Sequence, residues 1–179
     1  MNQKKINVPP KIGWYLSGFT DGEGSFNVTF RPREDFKNGW KVSLSFSVSQ
    51  KDKVILTLFK RYLGCGTIRQ REDGIWCFEV TNIESISEKV VPFFNKFKFL
   101  SQRKKKAFSK FKKVLEIVKD KKYLTKEGIE TIAKLREEIN LDNSKRRYDK
   151  EEIISSLKES SETIRQASSN KDDDIVRSP

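Results

Sequence analysis

Leu16-Ser17-Gly18-Phe19-Thr20-Asp21-Gly22-Glu23-Gly24 is the stretch on which the reading of the chain turns. Just upstream, Pro10 suits the first turn of a helix, where a missing N–H costs nothing. Ile12, Tyr15, Leu16 and Phe19 then form one apolar stripe, while Gly13, Ser17 and Gly18 leave the opposite side small. The pattern predicts a helix from Pro10 to about Phe19, ended by Gly22 and Gly24. Downstream the period changes to two. Phe26, Val28 and Phe30 alternate with Asn27, Thr29 and Arg31. After a polar loop, Val42, Leu44, Phe46 and Val48 alternate with Lys41, Ser43, Ser45, Ser47 and Ser49. Two half-buried antiparallel strands follow, with one greasy face and one polar face free of acids.

The rest of the chain repeats this scheme without a second copy of the opening motif. Asp52 is placed to cap a helix carrying Val54, Ile55, Leu58, Phe59, Tyr62 and Leu63, stopped at Gly64. A second hairpin has Thr67, Arg69 and Arg71 on one strand, an Asp73-Gly74 turn, and Trp76, Phe78 and Val80 on the return. Ile83 to Phe97 reads as a helix interrupted or restarted at Pro92. Phe108, Phe111, Leu115 and Val118 mark another, and Ile129, Ile132, Ala133 and Ile139 a third, capped near Thr125. The order α-β-β-α-β-β-α, with added helices, predicts an α+β domain over residues 8–147, its four-stranded antiparallel sheet covered on one face. Residues 148–179 read as an extension, helical from Glu151 to Ile164 and disordered from Ser168 onward. Trp14 and Trp40 fall off the apolar pattern and are expected at the surface or an interface.

Composition narrows the chemistry. A net charge of +12 over 179 residues favours a polyanionic partner. No run approaches the ~20 apolar residues that span a bilayer, and the first ten residues lack a signal-peptide core. An intracellular protein is expected, in a bacterial cytoplasm or an organelle. With no histidine and two cysteines, a four-ligand Cys/His zinc site and histidine acid–base catalysis are excluded within one subunit. Any metal should be a hard, oxygen-bound cation such as Mg²⁺. The two acids between glycines, Asp21 and Glu23, fit that requirement. A divalent cation polarises a phosphate and lowers the pKa of an attacking water, and flanking glycines let backbone approach closely. An acidic turn is the ordinary alternative on spacing alone. A capping box, Thr20-x-x-Glu23, is disfavoured because Glu23 precedes strands rather than a helix.

Leu16 to Gly24 closely resembles the LAGLIDADG motif of homing endonucleases. The two hairpins, Gln50 at the end of the second strand, the basic helix start near Arg103 and the stretch Tyr123–Gly128 extend the likeness over about residues 8–147. The resemblance implies a homodimer whose motif helices pack together at small residues, here Gly13, Ser17 and Gly18, with Asp21 closing the helix end. It implies Glu23 as the catalytic, metal-binding acid, with the Gly22 carbonyl as a further ligand for Mg²⁺, for which Ca²⁺ or Mn²⁺ can substitute. Gln50 would organise active-site water. Arg103, or else Lys104, would be the base near the scissile phosphate. The polar sheet face would enter the major groove of double-stranded DNA. Its contacts would come from Ser25, Asn27, Thr29, Arg31, Arg33, Lys41, Ser43, Ser45, Ser47, Arg69 and Arg71, with Ser144, Lys145 and Arg147 reaching phosphates from a loop. Cleavage of both strands of a long, pseudo-palindromic site would leave short 3′ overhangs. The alternatives are an intron RNA-binding maturase and an inactive DNA-binding relative.

Overall fold

A computed structural model describes residues 7–36, 38–139 and 147–157. Helix α1 (Pro10–Glu23) leads into β1 (Gly24–Pro32) and β2 (Trp40–Gln50), then α2 (Val54–Leu63), β3 (Thr67–Gln70) and β4 (Trp76–Val80). The helical stretch α3 joins Ile83–Ser85 and Val91–Lys96 through a π-helical turn, Ile86–Val90. That turn lies just ahead of Pro92, whose missing N–H breaks the regular ladder. Helices α4 (Gln102–Lys119), α5 (Lys126–Ile139) and α6 (150–157) follow. The strands form one antiparallel sheet in the order β1-β2-β4-β3, so the α+β expectation holds.

Strand alternation sets the layers. Phe26, Val28, Phe30, Leu44, Phe46, Val48, Phe78 and Val80 are buried against the helices. Phe26 lies at the centre, with the rings of Phe46, Phe94, Phe99, Phe108 and Phe111 all within 6 Å of its own. Trp40 is also buried, contrary to expectation, because the described part of the C-terminal extension covers it. Ile153 and Leu157 of α6 join the core, Tyr148 meets the Trp40 ring edge-on, and the Trp40 indole donates to Ser156 Oγ at 2.9 Å.

Helix α1 departs from the sequence reading in two ways. It continues through Gly22 to Glu23, because the Gly24 N–H still reaches the Thr20 carbonyl and only then does the chain turn extended. Gly24 has no room for a side chain there, since a Cβ would meet the Thr20 methyl at 2.3 Å. The buried face is also rotated. Gly13, Leu16, Ser17 and Thr20 point inward, while Trp14 and Tyr15 are 52% and 55% exposed. Phe97 causes the rotation by lying across the small residues. The Ser17 hydroxyl donates to the Phe97 carbonyl at 2.8 Å, and a Cβ on Gly13 would come within 2.4 Å of the Phe97 ring. Gly13→Val is therefore expected to cost about 1–3 kcal/mol through overpacking. The readout is a lower urea midpoint at unchanged slope; an unchanged midpoint would mean that the ring moves aside freely.

Candidate nucleic-acid interface and acidic site

The sheet face turned away from the helices is polar along its whole width. Ser25 stands opposite Ser47, Asn27 opposite Ser45, Thr29 opposite Ser43 and Arg31 opposite Lys41. Asn27 is held by its neighbours, accepting from Ser25 Oγ at 2.8 Å and donating to Ser47 Oγ at 3.2 Å. Directly opposed cations such as Arg31 and Lys41 repel each other, and a polyanion laid over them relieves that cost. Arg69 lies on the same face, and Arg33 and Arg71 follow directly after β1 and β3.

Residues that the sequence reading did not name as DNA contacts share this face. Ser49, Thr67 and Glu79 are placed there by the register Ser47↔Glu79↔Thr67 and Ser49↔Cys77↔Arg69, with Cys77 on the same strand face but buried. Glu79 brings an acid onto the face, 3.6 Å from Arg69. The signal was available: if Trp76, Phe78 and Val80 face the core, residues 77 and 79 face away. Ser144 and Lys145 lie outside the described residues. Arg147 is exposed, its guanidinium 5.6 Å from the centre of the Tyr148 ring. Lys110 and Lys112 serve the helical layer instead, Lys110 through an ion pair with Glu138 and Lys112 through Asn95 Oδ1 at 3.3 Å.

The acidic end of α1 meets this surface at its edge. Asp21 ties two helices together, accepting from the Leu100 and Ser101 amides at 3.0 and 2.9 Å and from the Ser101 hydroxyl, which itself caps α4. Partial burial pushes the Asp21 carboxyl up, but these donors outweigh it and hold it below the ordinary carboxylate range. Glu23 is exposed, one residue before β1. Gln50 stands at the same end, two residues beyond Val48, the partner of Gly24; its amide oxygen accepts from the Lys51 N–H at 2.8 Å.

Of the two basic candidates, Lys104 reaches the site. Its ammonium donates to the Gly24 carbonyl, and burial lowers its pKa while Asp21 and Glu23 oppose that drop. Arg103 is exposed and acts on Lys104 as a neighbouring like charge. Gly18 and Gly22 lie on the exposed side of α1, and a Cβ at either would meet nothing within 4 Å. Gly13 and Ser17, expected on a helix-packing surface between subunits, are instead committed to Phe97 within the chain. Among the described residues, no three Asp, Glu or Cys side chains converge.

Comparison with known proteins bears on the family and the fold. The LAGLIDADG endonuclease family profile matches residues 16–115. "Probable intron-encoded endonuclease 2" of Neurospora crassa is 32% identical over 138 residues, covering 75% of this chain and 29% of that protein. Among solved structures, I-SmaMI bound to an uncleaved DNA target in the presence of calcium ions is 34% identical. Its TM-score is 0.69, covering 74% of this chain and 46% of that one. The archaeal intron-encoded homing endonuclease I-Vdi141I, complexed with DNA, is 26% identical with a TM-score of 0.74, covering 83% of this chain and 95% of that one. The chain thus spans less than a third of the first curated relative and under half of I-SmaMI, but nearly all of I-Vdi141I.

Proposed function

Since this chain belongs to the LAGLIDADG endonuclease family, we propose that it is a site-specific, Mg²⁺-dependent homing endonuclease that hydrolyses both strands of a long, pseudo-palindromic double-stranded DNA target as a homodimer. The observation that carries this reading is the junction of α1 and β1. There the exposed Glu23, the Lys104 ammonium on the Gly24 carbonyl, and the first residues of the polar sheet face come together.

The donor set fits a hard divalent cation. Glu23 and the Gly22 carbonyl are oxygen ligands, and the C-terminal end of α1 adds negative partial charge. When bound, Mg²⁺ supplies polarisation of the scissile phosphate and a more acidic water. Asp21 fixes where the helix ends and so where Glu23 stands. Gln50 orients water at the end of the sheet, and Lys104 offsets negative charge that develops on the phosphate. Arg31, Lys41 and the hydroxyl-bearing residues of the sheet hold the duplex in register.

A target selected from a randomised duplex library tests the reading directly. Plasmid carrying the enriched site should be linearised with Mg²⁺ and stay intact with EDTA; linearisation in EDTA would remove the metal from the mechanism. On the same plasmid, Lys104→Met should slow single-turnover cleavage by about 10²–10³-fold, the scale of losing one preorganised electrostatic contact. Arg103→Ala should change it little. The reverse ranking would assign the basic role to Arg103.

A further inference from the structure

The two hairpin tips carry the same pattern, Arg-x-Arg-Glu-Asp, at residues 31–35 and 69–73. The fold makes them equivalent. In each, the second arginine is the first residue past its strand, and its N–H closes the loop on the residue before the return strand. Arg33 donates to the Gly39 carbonyl at 2.8 Å and Arg71 to the Ile75 carbonyl at 2.9 Å. The residue before each arginine pairs with a tryptophan, Pro32 with Trp40 and Gln70 with Trp76. Strand parity turns both arginines toward the polar face, continuing Thr29 and Arg31 on one side and Thr67 and Arg69 on the other.

Each of these arginines is gripped in the same way by the aspartate two residues on. Arg33 Nε and Nη2 donate to Asp35 Oδ1 and Oδ2, both at 2.7 Å. Arg71 Nε donates to Asp73 Oδ1 at 3.3 Å and its Nη2 to Oδ2. The side chains are 43–59% exposed, and ion pairs that exposed add little to stability, so the fold itself does not call for two of them. Their effect is on shape. A guanidinium has two forked edges. With the Nε–Nη2 edge taken by a carboxylate, the terminal Nη1–Nη2 fork is held in a fixed plane. That fork matches guanine O6 and N7 in the major groove. A phosphate is the wrong partner, because the aspartate would stand beside it as a second anion; beside a base edge, the same carboxylate can accept from cytosine N4.

We propose that Arg33 and Arg71 each read a guanine, and that Asp35 and Asp73 are the positioning residues that make them do so, giving every half-site two guanine positions set by the hairpin tips. This rests on the DNA-cleaving reading above. The full chain is used to select a site from a randomised duplex library in Ca²⁺. Binding of the wild type, Arg33→Ala, Asp35→Asn, Arg71→Ala and Asp73→Asn is then measured on every single-base-pair variant of that site. Asn keeps one oxygen for the loop contact that Asp73 makes with the Ile75 N–H, and circular dichroism checks the fold of each variant. Arg33→Ala and Asp35→Asn should flatten a guanine preference at one shared base pair, and Arg71→Ala and Asp73→Asn at a second, each by about tenfold. The log–log salt slope should change by much less than the ~0.9 of a lost phosphate contact. Uniform weakening across all sequences with a slope change near 0.9 overturns the proposal, as does an arginine and its aspartate acting at different base pairs. A selection that enriches no sequence with the wild type would instead overturn the DNA-cleaving reading on which it rests.

Discussion

Glu23→Gln should abolish cleavage and spare both binding and fold. The substitution keeps the shape of the side chain and removes its charge, so in the proposed site an oxygen-ligated cation would lose the Glu23 carboxylate of each subunit. Metal ions contribute several kcal/mol of transition-state stabilisation, which corresponds to a loss of about a thousandfold or more in single-turnover rate. Stability should not follow, because Glu23 is exposed at the helix end. Gel-shift binding to the selected site should stay near the wild-type value. Cleavage at the wild-type rate would remove Glu23 from the metal site.

The neighbouring acid separates structural from chemical roles. Asp21 holds Leu100 and Ser101, and its pKa is lowered in the fold. A carboxyl with a depressed folded pKa contributes stability above its unfolded pKa and loses it as pH falls through the folded value. Loss of Asp21 thus weakens the fold at neutral pH and makes it less sensitive to acid.

The strand faces were legible because burial of one side imposes period two, and Phe26 to Phe30 and Val42 to Val48 keep it without exception. The order of elements followed, and so did the position of Glu23 at the junction of helix and sheet. What sequence did not disclose was decided by distant partners. Phe97 turns α1 so that Gly13 and Ser17 face inward, and nothing within Pro10–Glu23 announces a ring arriving from some eighty residues away. Which of Arg103 and Lys104 lies against the Gly24 carbonyl depends on one step of helix rotation, which counting along the chain does not fix. Trp40 was misplaced because its cover, Tyr148 with Ser156, comes from the extension. The repeated arginine–aspartate grip was present in the sequence, but only the bidentate geometry gives it meaning.

Gly18→Leu should then separate assembly from folding. Within one chain the substitution is harmless: Gly18 is exposed, a Cβ there meets nothing within 4 Å, and leucine favours a helix interior over glycine by about 0.5–1 kcal/mol. The isolated subunit should hold its urea midpoint or gain slightly. In a two-fold assembly, however, the same patch meets its own copy, and the exposed side of α1 offers Lys11, Tyr15, Gly18 and Gly22 at helical spacing, with Trp14 alongside. Glycines at 18 and 22 are where two such helices can approach most closely, and Trp14 and Tyr15 supply the apolar area that close approach would bury. A leucine at 18 pushes the helices apart and carries each Glu23 away from its counterpart. Double-strand cleavage should therefore fall together with the dimer fraction, as followed by sedimentation at micromolar concentration. Adding Gly13→Val to the comparison gives the contrasting result, a less stable subunit whose surviving folded fraction still pairs. A Gly18→Leu protein that stays dimeric and cuts both strands at the wild-type rate would move the subunit contact off this helix.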